Sequence, residues 1–192
     1  MNDNMKIVGL VGAMVGWSAP TVMKEVKRLL EEKYSGEQVE VIDLADDDVE
    51  FSDGRNFLDY SGDTGKVVQL LMEADVIVIA TPVFQASIPG TLKNVFDLLP
   101  QDAFVDKTVG MVVMAGTDKH YLVAEQQLKP ILSFMKANIV QNYVFALQQD
   151  IVQGKIISQD VLYRLDRLVD EVMLSARAYR EMKAWEDDQY DF

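Results

Sequence analysis

Apolar residues along the chain follow two alternating rhythms. Residues 7–11, 76–80 and 109–115 are nearly unbroken apolar runs, the signature of strands buried on both faces, as in a parallel sheet. Residues 39–44 are fewer and more polar, which places them at an edge. Residues 139–147 are interrupted by Gln141 and Asn142 and belong at the opposite edge. Between these runs the period lengthens. Val22, Val26, Leu29 and Leu30 share one helical face, as do Leu92, Val95, Phe96 and Leu99. Ala124, Leu128, Ile131, Leu132 and Met135 form a third stripe, in which Pro130 must kink or divide the helix. The last helix carries Val161, Leu165, Leu168, Val172 and Ala176, with Ser158 as its N-cap. These stripes are read as core and given no chemistry.

Strands alternating with helices predict an α/β fold: a doubly wound five-stranded parallel sheet with helices on both faces. Three strongly apolar strands between two weaker ones fit the order 2-1-3-4-5. Ligands of such sheets bind beyond the carboxyl ends of the strands, near the switch point between strands 1 and 3. The chemistry is therefore sought just after Val11, Ala80 and Ala115.

Composition narrows the classes. The chain has 192 residues, enough for one domain, and 49% are hydrophobic against 26% charged. The absence of Cys excludes a disulfide framework, a thiolate metal site and a cysteine nucleophile, and a single His excludes a multi-His metal centre. A net charge of −13 repels nucleic-acid backbones and anionic lipid. No run approaches the roughly 20 apolar residues of a membrane span, and no leader pattern opens the chain. The expectation is a soluble cytoplasmic protein. The acidic tail, residues 185–192, is expected to fray and is given no function.

The loop after the first strand holds Gly12, Gly16, Ser18, Pro20 and Thr21 and opens a helix. Its glycines do not make the dinucleotide fingerprint, and there is no G-K-[ST] of an NTPase loop. Acidic residues required by a response-regulator receiver are replaced by Gly12 and Ala13. What remains is a helix N-terminus whose free N–H groups suit a phosphate, with Ser18 and Thr21 as hydroxyl donors. Helix capping by Ser18 is the plainer alternative. The loop after the third strand carries Pro82, Val83, Phe84, Gln85, Ala86 and Ser87, a stiff aromatic-bearing turn suited to the edge of a planar heterocycle. After the fourth strand, Gly116 allows a close backbone approach to a ligand, followed by Thr117 and the lone His120, which is read as structural.

The string TPVFQASIPGTLKNVFDLLP resembles the flavin loop and following helix of NAD(P)H-dependent FMN reductases, close to T-P-V-Y-x-x-S-I-P-G-x-L-K-N. Residues 116–122 and 128–132 resemble the segment after strand 4 of that family. Asp53, Gly54, Arg55, Tyr60, Asp63 and Thr64 resemble a D-G-R…Y…D-T stretch of its azobenzene-reductase-like members. The likeness runs from about Lys6 to about Val169. It implies a flavodoxin-like fold and an FMN cofactor, with NADPH or NADH as co-substrate. Hydride passes through FMN N5 to a quinone, azo compound, flavin or similar small acceptor. Carried over, Ser18 and Thr21 bind the phosphate; Pro82, Val83, Phe84, Gln85, Ala86 and Ser87 hold the ring and ribityl chain; Gly116 and Thr117 lie beside the pyrimidine end. No side chain is assigned as catalytic and no metal is expected.

The chain departs from the pattern in two ways. Residues 14–17 supply no cation where many relatives have Arg or Lys, and the loop is one residue longer. Gln126 stands where members that release reduced flavin carry Tyr, which favours FMN kept as a prosthetic group. The resemblance also implies a homodimer or homotetramer, for which the acidic segment 46–63 is a candidate contact or a solvated loop. Lys119 and Lys129 are candidate contacts for a nicotinamide dinucleotide phosphate or plain solubilising groups. Two other readings stand beside the enzyme: a flavodoxin-like electron carrier, and a binding module that keeps the fold without the cofactor.

Overall fold

The apolar runs lie side by side in one parallel sheet. In the computed structural model, which describes residues 4–190, β1 (Lys6–Val11) lies between β2 (Gln38–Asp43) and β3 (Val76–Pro82), and β4 (Thr108–Ala115) pairs with the far side of β3. Val11 stands opposite both Asp43 and Ala80, so the tips of the first three strands are level. The fifth position is shared by two short strands, β5 (Asn138–Ile139) and β6 (Val144–Leu147), both parallel to β4. The polar pair Gln141 and Asn142 falls in the gap between them. The order is 2-1-3-4-5, as the pattern predicts.

Alternating side chains send the strands' two faces into two cores. Ile7, Val11, Val78 and Met114 meet α1 (Ser18–Lys33) and α5 (Gln159–Tyr190). Val8, Leu10, Ile77 and Met111 meet α2 (Gly62–Glu73), α3 (Gly90–Asp97) and α4 (Lys129–Phe134). Gly110 lets α5 come close, since a Cβ there would sit 2.7 Å from Val172. The Ser158 hydroxyl accepts from the Val161 N–H at 3.3 Å, so the expected cap forms. An antiparallel pair, β7 (Ile151–Val152) and β8 (Lys155–Ile156), carries the chain from β6 to α5.

Three features differ from, or sharpen, the pattern. The stretch from Trp185 onward is helical as far as Tyr190 instead of fraying: α5 runs on past its buried stripe, and Trp185 on it is exposed. Asp191 and Phe192 lie outside the described residues. The helix α2, whose buried face is Val67, Val68 and Leu71, fills the interval after the acidic segment. The stripe around Pro130 is divided: residues Ala124–Leu128 form a π turn, in which the Lys129 N–H reaches the Ala124 carbonyl, and α4 starts beside Pro130. Proline has no N–H to continue the α register at this point.

The D-G-R…Y…D-T residues turn out to clamp the loop between β2 and α2. Arg55 binds Asp53 at 2.6 Å and lies over the Tyr60 ring at 4.7 Å, and the Tyr60 hydroxyl donates to Asp53 at 3.1 Å. Asp63 and Thr64 accept from the Asp48 and Glu50 N–H groups, and Asn94 of α3 bonds Glu50 and Ser52. The Arg55 guanidinium holds the Asp53 carboxyl well below the usual carboxylate range. A depressed carboxylate stabilises the folded loop above its unfolded pKa of about 4, and that contribution is lost as pH falls from there through the folded value. Protection of the amides of residues 53–60, taken relative to unstructured peptide at the same pH, should therefore fall selectively in acid, and Asp53→Asn should show the lower protection already at neutral pH. Equal protection in the two proteins would contradict the clamp.

Candidate functional site

The β1–α1 turn is built from backbone donors without acceptors. Gly12 donates to the Ala80 carbonyl at 2.9 Å, which closes the turn against β3. Its hydrogen cannot be replaced cheaply, since a Cβ would meet Leu92 at 2.9 Å. Beyond it, among the described residues, the N–H groups of residues 13–19 donate to no protein acceptor, and Gly16 takes a φ of +96° to turn the chain. Ser18 does not cap: α1 has no side-chain cap, and the Ser18 hydroxyl makes no hydrogen bond within the described residues. Thr21 sits a turn further on, and its hydroxyl donates to the Trp17 carbonyl at 2.7 Å.

The β3–α3 turn is a tight reversal. Phe84 and Ser87 exchange two backbone hydrogen bonds of 2.9 and 3.0 Å around Gln85 and Ala86, whose φ values are +48° and +60°. Two non-glycine residues in the left-handed region cost of order 1 kcal/mol each, strain of the kind that collects at binding sites. The Val83 N–H is fixed to the Met114 carbonyl at 2.8 Å. The Ser87 hydroxyl donates to Gln127 at 3.2 Å, which ties this reversal to the π turn that contains Gln126. The Thr91 hydroxyl donates to the Gly12 carbonyl at 3.2 Å and joins the first two turns.

After β4, the N–H groups of Gly116 and Thr117 have no acceptor among the described residues. The Thr117 hydroxyl is engaged in its own turn, accepting from the Lys119 N–H and lying 3.3 Å from Asp118. Behind this segment the Tyr143 hydroxyl donates to the Tyr121 carbonyl at 2.8 Å, and burial pushes that phenol well above its usual range. Lys129 pairs with Glu125 at 3.1 Å.

Between the three turns lies a cleft of about 250 Å³. Of the residues singled out in the sequence, Ser18, Pro82, Val83, Phe84 and Gly116 line it together. Thr21 and Thr117 are not among its lining residues and have their hydroxyls engaged, Gln85 and Ala86 form the exposed tip of the reversal, and the Ser87 hydroxyl is bound to the π turn. The cleft also draws on Trp17 and Gln148. Gln148 follows β6, so extending the strand-tip rule to the fifth strand would have found it. Trp17 carried no signal, because its position is set by the turn at Gly16.

This strand order, with a cleft at the switch point between β1 and β3, defines a flavodoxin-like α/β protein. The sequence model of NADPH-dependent FMN reductase matches residues 5–151. An NAD(P)H-dependent FAD/FMN reductase of Geobacillus thermodenitrificans (strain NG80-2) is 40% identical over 174 residues, spanning 88% of this chain and 92% of its own. An NADPH azoreductase of Bacillus sp. (strain OY1-2) is 26% identical over 79% of this chain and 85% of its own. The apo form of an NADH:FMN oxidoreductase (EMOB) superposes with a TM-score of 0.76 at 24% identity, covering 90% of each chain. The chain belongs to the NADPH-dependent FMN reductase family and is an oxidoreductase of that NAD(P)H-dependent class. No helix among the described residues is long and apolar enough to cross a membrane.

Proposed function

We propose that the protein holds FMN in the strand-tip cleft and passes reducing equivalents from NADPH or NADH to a small flat acceptor: a quinone, an azo compound or a second flavin. The observation that carries this reading is the row of unclaimed N–H groups at residues 13–19, at the mouth of a cleft flanked by Phe84 and Gly116. When bound, FMN supplies the redox chemistry, taking a hydride at N5 and returning one or two electrons. The chain's own task is to bind and orient. The N–H groups of residues 13–19 and the Ser18 hydroxyl take the phosphate, as a neutral nest of oriented donors at a helix start. Pro82, Val83 and Phe84 hold the ring edge, and Gly116 leaves room for it by having no side chain. The Gly116 N–H, without an acceptor among the described residues, serves the pyrimidine edge, where negative charge builds on reduction. Gln126 on the π turn supports a flavin that acts in place. Cytoplasmic residence and pairing with a second copy belong to the same proposal. Phe51 and Leu58 are the exposed apolar residues of the acidic segment, while Tyr60 is buried within it.

Purified protein should be yellow, and anaerobic addition of NADPH or NADH should bleach it without a partner reductase. An electron carrier would stay oxidised until a reductase was added. A colourless preparation that ignores added FMN would overturn the proposal.

A further inference from the structure

The turns that would cradle the flavin carry no charge, and their surroundings are acidic. Residues 12–21 and 82–91 contain no Lys, Arg, Asp or Glu. The first of these turns instead exposes Met14, Val15 and Trp17, and Phe84 is exposed on the second. One strand away, the Leu44 N–H donates to the Val11 carbonyl at 3.3 Å, so the loop leaving β2 starts level with the cleft. That loop carries Asp46, Asp47, Asp48, Glu50 and Asp53 against Arg55. Lys66 reaches Asp47 at 2.7 Å and Arg55 is bound to Asp53, while among the described residues no ion pair engages Asp46 or Asp48. On the other side, Asp118 is offset by Lys119, and the whole chain stands at −13.

A phosphate monoester is close to a dianion at neutral pH. Entering this cleft it meets backbone donors, whose attraction fades within a helical turn, but no cation. The longer-ranged field of the acidic loop opposes it, and salt screens that field over about 10 Å at 0.1 M. Around the same cleft, Trp17 and Phe84 offer apolar and aromatic surface to a flat ring system, which gains from such contact whether or not it bears a phosphate.

We infer that the site takes its main hold on the isoalloxazine ring, accepts uncharged riboflavin nearly as well as FMN, and binds FMN more tightly as salt rises. This rests on the flavin-binding reading above and extends its substrate class to flavins without a phosphate. A phosphate site built on Arg or Lys behaves in the opposite sense, because salt screens an attraction there.

The test is a fluorescence titration of flavin-free protein with FMN and with riboflavin, in KCl at about 10 mM and about 150 mM, a range over which the screening length falls from 30 to about 8 Å. The expected result is a riboflavin Kd within about tenfold of that for FMN at low salt, a difference of at most about 1.4 kcal/mol. The FMN Kd should fall about threefold on going to high salt, with a smaller change for riboflavin. Val15→Lys, at an exposed position of the turn, should reverse the sign of the salt effect for FMN and raise the preference for FMN over riboflavin by about tenfold. Binding of FMN that weakens with salt and exceeds that of riboflavin by more than about a hundredfold would overturn the inference and leave the FMN-reductase proposal standing. Failure of both flavins to bind would overturn the two together.

Discussion

Gly116→Trp should leave the fold intact and expel flavin from the cleft. Gly116 is exposed at the end of β4, and a Cβ built on it lies 3.8 Å from the Gln148 side chain, ordinary contact distance. Nothing in its backbone demands glycine, since its φ is not positive. Alanine is therefore tolerated, whereas an indole fills much of a cleft of about 250 Å³. Flavin affinity should fall at least about a hundredfold, close to 3 kcal/mol, while Gly116→Ala stays within about tenfold of the parent. Flavin fluorescence titration reads the loss, and a melting temperature close to the parent's excludes unfolding as its cause. A tryptophan variant that stays yellow would place the flavin elsewhere.

The second large effect lies at the opposite end of the sheet. Phe104 is completely buried in the connection between α3 and β4. It meets Phe96 edge-on at 6.2 Å, and its N–H donates to the Met135 carbonyl at 3.1 Å, just beyond α4. One residue thus packs the α3 and α4 side of the sheet together. Phe104→Ala should cost about 4 kcal/mol, lost contacts and residual cavity combined. For a chain of this size the melting temperature should drop by roughly 10 °C. Because Phe104 precedes β4 and the cleft follows it, flavin affinity measured well below the transition should be nearly unchanged. Loss of flavin affinity in parallel with stability would show that the two ends of the sheet are coupled. Together the two variants separate the binding surface from the scaffold that presents it.

Much of this protein is legible before folding because its strands are buried on both faces. Such strands must be apolar throughout, so β1, β3 and β4 stand out as unbroken runs, and the strand-tip rule then points to three turns. Five of the residues marked there do share one cleft. The other marked residues lie outside that lining, and the reasons are local. Thr21 looks like a phosphate donor in the sequence, yet its hydroxyl has a nearer acceptor in the Trp17 carbonyl. Ser18 looks like a cap, yet its hydroxyl has no partner among the described residues, and Ser18 lines the cleft. The D-G-R…Y…D-T residues resemble a family feature without revealing their task, and only the contacts among Asp53, Arg55 and Tyr60 show a loop clamp.

By itself the sequence determined the doubly wound order, the neutrality of the phosphate turn and the family likeness, since each follows from residue type and spacing along one chain. Tertiary structure decided what depends on groups far apart in sequence. Gln148 reaches the cleft because β6 ends beside β4. Among the described residues the N–H groups of residues 13–19 stay unclaimed because the first turn is closed at Gly12, by Ala80 and Thr91. Hydrophobic periodicity records which face of an element is buried, whereas a hydrogen bond or a cleft depends on which two surfaces meet, and that is settled only when the elements pack.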